Sequence, residues 1–237
     1  THGETVLKNA QPLVVEYAGG PLAVAHNGNL VNAVELRAEI EERGSIFQSN
    51  SDTEVVIHLI AQSDKGPLLE RVIDSLKRVR GAYSIVFLAR DQLIAVRDPY
   101  GFRPLVLGRI REKDTYVVVS ETCALDLINA EYVREVEPGE VIVIDKSGLR
   151  SMQPLEVVEP RRGVFEYVYF ARPDSQVFGR TVYNVRRELG RQLARESLVD
   201  ADVVTPVPDS GVPAALGYAE QSGVPYELGL IRNHYVG

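Results

Sequence analysis

The 237 residues are 45% hydrophobic and 25% charged, with a formal net charge of −7. That balance suits a folded chain of one or two domains and argues against a general nucleic-acid or membrane-surface binder, which needs a concentrated basic face. No apolar run approaches the ~20 residues that span a bilayer, no signal segment opens the chain, and a single cysteine, Cys123, excludes an internal disulfide framework or a multi-cysteine metal site.

The expected compartment is a reducing cytoplasm. The chain opens on Thr1 and stops at "RNHYVG" without a helix stop, as a fragment or a processed chain would. In chain order, a short apolar segment at 23–25 runs into His26-Asn27-Gly28-Asn29 just ahead of a helix. Asn32 is expected to cap that helix, which continues to about Arg43 with Glu35 at the capping-box position and Gly44 as its stop. Ser51-Asp52-Thr53-Glu54 repeats the start signal before an apolar run, and 67–78 reads as a third helix. The period then changes. Residues 82–98 are two β-rich runs around Arg90-Asp91, a hairpin, and 103–110, 115–120 and 140–150 continue the β pattern, with a turn at Lys146-Ser147-Gly148. Residues 1–157 therefore read as antiparallel layered sheets with helices outside.

A polar, proline-containing boundary follows at 159–162. Beyond it we expect a helix over 183–197, a buried strand over 201–207, a break at Pro208-Asp209-Ser210-Gly211, a helix over 213–221 and another strand within 224–231. Strand, helix, strand at this spacing opens a parallel α/β sheet, so 158–237 form a second domain.

Four places could carry chemistry. Asn27 offers a side-chain amide and Gly28 an adaptable backbone N–H, the equipment of an oxyanion hole, although Asn-Gly is also an ordinary turn dipeptide. Asp52 is either a first-turn carboxylate favoured by the helix dipole or the partner of a ligand ammonium. Ser210, ahead of a helix at the carboxyl edge of a parallel strand, is either a cap or a phosphate and metal contact. Cys123 sits just inside a helix start and reads as a structural thiol.

Taken together and in this order, "LAVAHNGNLVNAVELR", "GSIFQSNSDTEV", "GAYSIVFL", "RDPYGFRPL", "SETCALD", "REVEPGE", "EYVYFARPDS" and "PVPDSGVPAALGYAEQSGVPYELGLIRNHYVG" closely resemble the glutamine phosphoribosylpyrophosphate amidotransferase family across the whole chain. "HNGNL" and the Ser-Asp-Thr-Glu start are shared by other N-terminal-nucleophile glutamine amidotransferases. The resemblance implies a layered αββα glutaminase domain over 1–157, lacking its N-terminal part, and the start of a phosphoribosyltransferase domain over 158–237. The implied activity is the first committed step of purine synthesis. An N-terminal cysteine, with its own α-amine as base, releases ammonia from glutamine. The ammonia passes along an internal channel and displaces pyrophosphate from phosphoribosylpyrophosphate.

Carried over by position, the resemblance makes Asn27 and Gly28 the oxyanion hole. Asp52 is implied to hold the glutamine α-ammonium and Thr1 the other end of that substrate. Ser210 falls at the Mg2+-diphosphate site, and Arg232, Asn233, Tyr235 and Gly237 at the loop that closes over phosphoribosylpyrophosphate. The family's cysteine and its carboxylate-clamping arginine would lie upstream of Thr1, and its paired aspartates downstream of Gly237, so the chain alone is not expected to run the whole reaction. Gly163 falls at the first ligand position of the iron–sulfur cluster some members carry, so no cluster is expected. The family also implies a homotetramer or homodimer and purine nucleotides as inhibitors. Three other readings remain: Thr1 as the nucleophile of a processed hydrolase, a hexosamine-forming amidotransferase, and a silent phosphoribosyl-ligand sensor.

Overall fold

A computed structural model describes residues 6–156, 158–233 and 235. The chain divides into two compact units, Thr1–Ser120 with Ile128–Gly163, and Glu121–Leu127 with Val164–Gly237.

In the first unit, β1 (Leu13–Tyr17) and β2 (Gly20–Leu30) form a hairpin, followed by helices α1 (Ala33–Glu42), α2 (Asp52–Gln62) and α3 (Leu68–Leu76). Strands β3 (Gly81–Ala89), β4 (Gln92–Arg97), β5 (Val106–Ile110), β6 (Thr115–Val119), β7 (Glu131–Glu135), β8 (Val141–Asp145) and β9 (Gly148–Met152) complete it. They assemble into a six-stranded sheet, β1-β2-β3-β4-β8-β9, and a three-stranded one, β6-β5-β7. Every pairing is antiparallel, and the expected hairpins at Arg90-Asp91 and Lys146-Ser147 are present.

Strand alternation sets the layers. Ile94 and Val96 of β4 and Val141 and Val143 of β8 join Val24, Phe87 and the helix residues Ile40, Val56, Ile60 and Val72 in one core. The intervening Ala95 and Ile142 face the other way, onto Leu105, Leu107 and Val136. The order is therefore helices, large sheet, small sheet. α2 is buried over most of its surface, including every residue from Asp52 to Ile57. Its first turn thus lies inside the protein.

Ser51 caps α2 as expected, its Oγ accepting from Thr53 N at 3.3 Å. Glu54 does not close a box onto Ser51; its carboxylate accepts from Gln48 N at 2.8 Å and Ser49 N at 2.7 Å, fixing the loop before the helix. Asn32 gives α1 no side-chain cap, because its backbone (φ −105°, ψ 17°) is not extended. Its amide instead donates to Arg78 O at 3.0 Å and accepts from Arg80 N at 2.8 Å.

The first unit runs to Gly163. Arg161 N donates to Tyr100 O at 2.7 Å and Gly163 N to Phe102 O at 3.3 Å, which ties this tail to the first unit. The second unit takes α4 (Cys123–Leu127), through Gln176 N to Thr122 Oγ1 at 2.8 Å and Arg172 N to Glu121 Oε2 at 2.9 Å. A short hairpin, β10 (Gln176–Val177) and β11 (Arg180–Thr181), leads into α5 (Val182–Glu196) and then α6 (Val212–Ser222). The two helices meet backbone to backbone. A Cβ at Gly190 would lie 1.9 Å from Ala214 O, and one at Gly217 would lie 1.9 Å from Arg187 O.

The two strands expected to flank α6 are reduced to a single parallel bridge, Val204 to Tyr226. Its bonds run from Val204 N to Pro225 O at 2.8 Å and from Glu227 N to Val204 O at 3.0 Å. The direction is the expected one, but Pro206 and Pro208 carry no N–H with which to extend the ladder.

Candidate functional site

β1 follows β2 only as far as Val24, whereas β3 follows it to Leu30. Residues 25–30 therefore keep one edge in the sheet while the other runs past the end of β1. On that second edge His26 N donates to Gln11 Oε1, and Leu30 N donates to Asp52 Oδ2 at 2.9 Å. Backbone N–H groups alternate sides along a strand, so the Gly28 N–H, midway between these two, heads for the same edge.

Only glycine fits there. Gly28 has φ +150°, and a Cβ would lie 2.0 Å from Ala82 O and 2.9 Å from His26 Nε2.

Asp52 closes the other side. The first turn of α2 carries it under β2, where it is 3% exposed. His26 Nδ1 lies 3.6 Å from Asp52 Oδ1 and 3.1 Å from Thr53 Oγ1. Burial pushes the Asp52 carboxyl up, but the His26 ring and the Leu30 N–H together outweigh it. The group ends below the usual carboxylate range and is ionised at neutral pH. Asp52 and the Asn27-Gly28 pair therefore share one strand end: the carboxylate holds the residues on both sides of that pair.

Asn27 is half-buried, and its Oδ1 accepts from Arg103 Nη2 at 2.9 Å. The loop that presents Arg103 is "RDPYGFRPL", folded around two buried charges. Asp98 accepts from Tyr83 N at 3.2 Å, Tyr100 N at 2.9 Å and Phe102 N at 3.1 Å. Arg97 reaches Arg103 O at 2.8 Å, Gly101 O at 3.1 Å and Val136 O. Burial raises the Asp98 carboxyl, and these N–H donors only partly offset that. Arg103 was not singled out by the sequence reading. Its signal was the density of Arg97, Asp98, Gly101 and Arg103 within one short turn between strands.

A cleft of about 880 Å³ opens beside this strand end, lined by Asn29, Gly81, Ala82, Tyr83 and Phe102 among others. In the second unit, Ser210 is exposed in the turn before α6. The neighbouring Asp209 pairs with Arg232 at 3.4 Å across a cleft of about 430 Å³ that runs along Leu228–Ile231. Asn233 Oδ1 accepts from Tyr235 N at 3.0 Å, and Tyr235 is almost fully exposed. Thr1 and Gly237 lie outside the described residues. Cys123 is buried, and burial pushes its thiol up, the opposite of an activated nucleophile. Among the described residues no three His, Cys, Asp or Glu side chains cluster as a metal cage. No helix among them is long and apolar enough to cross a membrane.

Comparison with known proteins adds four observations. The glutamine amidotransferase domain family matches residues 4–127. Amidophosphoribosyltransferase 1, chloroplastic, of Arabidopsis thaliana is 58% identical over all of this chain and 42% of its own length. The amidophosphoribosyltransferase of Bacillus subtilis is 48% identical over all of this chain and 50% of its own. Among solved structures, a B. subtilis glutamine phosphoribosylpyrophosphate amidotransferase complexed with ADP and GMP superposes with TM-score 0.93 at 48% identity, over 99% of this chain and 51% of that one. The chain thus spans about half the length of the relatives it matches.

Proposed function

This chain belongs to the glutamine amidotransferase family, and from that premise we propose that its first unit splits glutamine and its second begins the phosphoribosyl-transferring half of an amidophosphoribosyltransferase. The observation that supports this most is the edge shared by the Gly28 N–H and the Asp52 carboxylate, with Asn27 next to Gly28 in the chain. In this reading the Asn27 Nδ2 and Gly28 N–H receive the negative charge that builds on the glutamine amide oxygen. Each such donor contributes ~3–4 kcal/mol of transition-state stabilisation in acyl transfer. Asp52, anionic at neutral pH, draws the α-ammonium and sets the distance to the amide, and Thr1 contacts the other end of glutamine. Cys123 takes no part. The nucleophile comes from residues other than those described.

The ammonia is consumed by the second unit, where Arg232, Asn233, Tyr235 and Gly237 belong to the loop over phosphoribosylpyrophosphate. The Ser210 hydroxyl and the Asp209 carboxylate are hard oxygen donors at an exposed turn, a set that fits Mg2+ arriving with a diphosphate. A Mg2+ held by these oxygens would supply positive charge to offset that of the diphosphate. Iron–sulfur chemistry has no part in this reading: a Cβ at Gly163 would lie 3.2 Å from Phe102 O, and no thiolate stands there. The reading includes a homotetramer or homodimer, purine nucleotides as inhibitors and a reducing, cytoplasm-like compartment.

The test uses the full-length protein. It should release pyrophosphate from phosphoribosylpyrophosphate with either glutamine or free ammonia as the nitrogen source. Asn27→Ala should lose the glutamine-dependent rate and keep the ammonia-dependent one. Equal loss of both, or no release at all by the unmodified protein, would refute the assignment.

A further inference from the structure

An amide side chain presents an oxygen on one side and an NH2 on the other, and only the NH2 is of use to an oxyanion. Something must decide which way the Asn27 amide faces. Its partner is Arg103, whose Nη2 lies 2.9 Å away. A guanidinium is donor-only at any accessible pH, so the atom turned towards it has to be Oδ1. The Nδ2 is then committed to the opposite side of the planar group.

Arg103 is itself held. Its carbonyl accepts from Arg97 Nε at 2.8 Å, and the next carbonyl, Pro104 O, accepts from Ser84 Oγ at 3.2 Å. Arg97 is 2% exposed and Ser84, on the strand paired with β2, is 4% exposed. The Arg103 backbone is thereby fixed to the same sheet that carries Asn27, and in register: Ser84 lies opposite Asn27 itself. A reorientable side chain is thus clamped by a charged donor on a rigid base.

We infer that Arg103 is a positioning residue for glutamine hydrolysis, which locks the Asn27 amide with its NH2 towards the developing oxyanion. This rests on the oxyanion reading of Asn27 above. Without Arg103 the amide can turn over, and an inverted amide presents a lone pair to negative charge.

A double-mutant cycle on glutamine hydrolysis by the full-length protein tests it. Asn27→Ala should lower kcat by about 10²–10³, the range for loss of one oxyanion donor. Arg103→Met should lower kcat by about tenfold or more, within that ceiling, and leave KM within about twofold. Added to Asn27→Ala, the Arg103 change should cost less than about twofold further, because the group it orients is gone. Arg103→Lys, also donor-only, should recover part of kcat. Asn27→Asp keeps the acceptor that Arg103 needs but has no NH2, and should be as slow as Asn27→Ala. Thermal midpoints report folding, and if Arg103→Met unfolds, the cycle is run with Arg103→Lys.

Wild-type kcat in folded Arg103→Met would overturn the inference. So would a raised KM at constant kcat, which marks a ligand clamp, or the same factor lost in both backgrounds, which marks general structural support. If Asn27→Ala itself keeps wild-type kcat, the oxyanion reading fails first, and that result is separate from any obtained at Arg103.

Discussion

Replacing Gly28 by alanine adds one methyl group at the tightest point of the strand end. The new Cβ would sit 2.0 Å from Ala82 O and 2.7 Å from Ala82 C, both backbone atoms of the paired strand, so no rotamer change can relieve it. Relief requires β2 and β3 to separate where Gly28 lies opposite Tyr83. Two costs combine. A backbone conformation at φ +150° that disfavours side chains costs ~1–3 kcal/mol. Forcing an extra carbon into a packed site costs ~1–3 kcal/mol more. The sum, ~2–6 kcal/mol, is a large share of a typical domain's ~5–15 kcal/mol. Urea unfolding followed by far-ultraviolet circular dichroism should show a lower midpoint at unchanged slope. Glutamine hydrolysis should fall as well, since the Gly28 N–H moves with the strand. A destabilisation under ~1 kcal/mol would refute the reasoning, because it would mean that the strand has room there that the geometry denies.

Asp52→Asn keeps an oxygen for Leu30 N but removes the charge. The KM for glutamine should rise about 10- to 100-fold, from loss of a charge-assisted bond of ~1.5–3 kcal/mol, and an unchanged KM would remove Asp52 from the ammonium site. Because its folded pKa is lowered, Asp52 stabilises the protein fully above its unfolded value of about 3.9 and loses that contribution as pH falls through the lower folded value. The stability gap between wild type and Asp52→Asn, read by denaturant titration, should therefore shrink below about pH 4. Cys123 should react slowly with iodoacetamide at pH 7 in the folded protein and rapidly in urea; fast native labelling would contradict its burial. Gly217→Ala, whose Cβ would meet Arg187 O at 1.9 Å, should loosen the contact between α5 and α6 and lower the thermal midpoint, leaving glutamine hydrolysis by the first unit intact.

The elements that the residues announced were those whose signals are local. Near-continuous β-branched and apolar runs in β3, β4 and β8 marked the strands, because each sits between two apolar layers; which residue faces which layer was set by the tertiary structure. The start of α2 was legible since Ser51 caps within two residues. Asn32 misled for a related reason: a capping residue type stood at a helix start, but its amide was taken by Arg78 and Arg80, some 46 to 48 positions away. In the second unit the parallel direction was legible from strand, helix and strand spacing. The extent of the strands was not, because ladder length depends on which N–H groups exist, and Pro206 stands inside the first expected strand with Pro208 just beyond it.

The site shows the same division more sharply. His26-Asn27-Gly28-Asn29 is a plausible turn by composition, and nothing local separates that from a strand that continues through it to Leu30. What separates them is partners. β3 pairs with β2 through Leu30, which makes the segment a strand; β1 stops at Val24, which leaves an edge; and Asp52 takes the Leu30 N–H on that edge. The amide's orientation depends on a residue 76 positions further along, Arg103, in a loop whose shape is set by the buried Asp98 and Arg97. A side chain that can point either way carries no directional information in its own identity. Direction enters only with a partner that can donate and cannot accept, and that partner is supplied by tertiary structure.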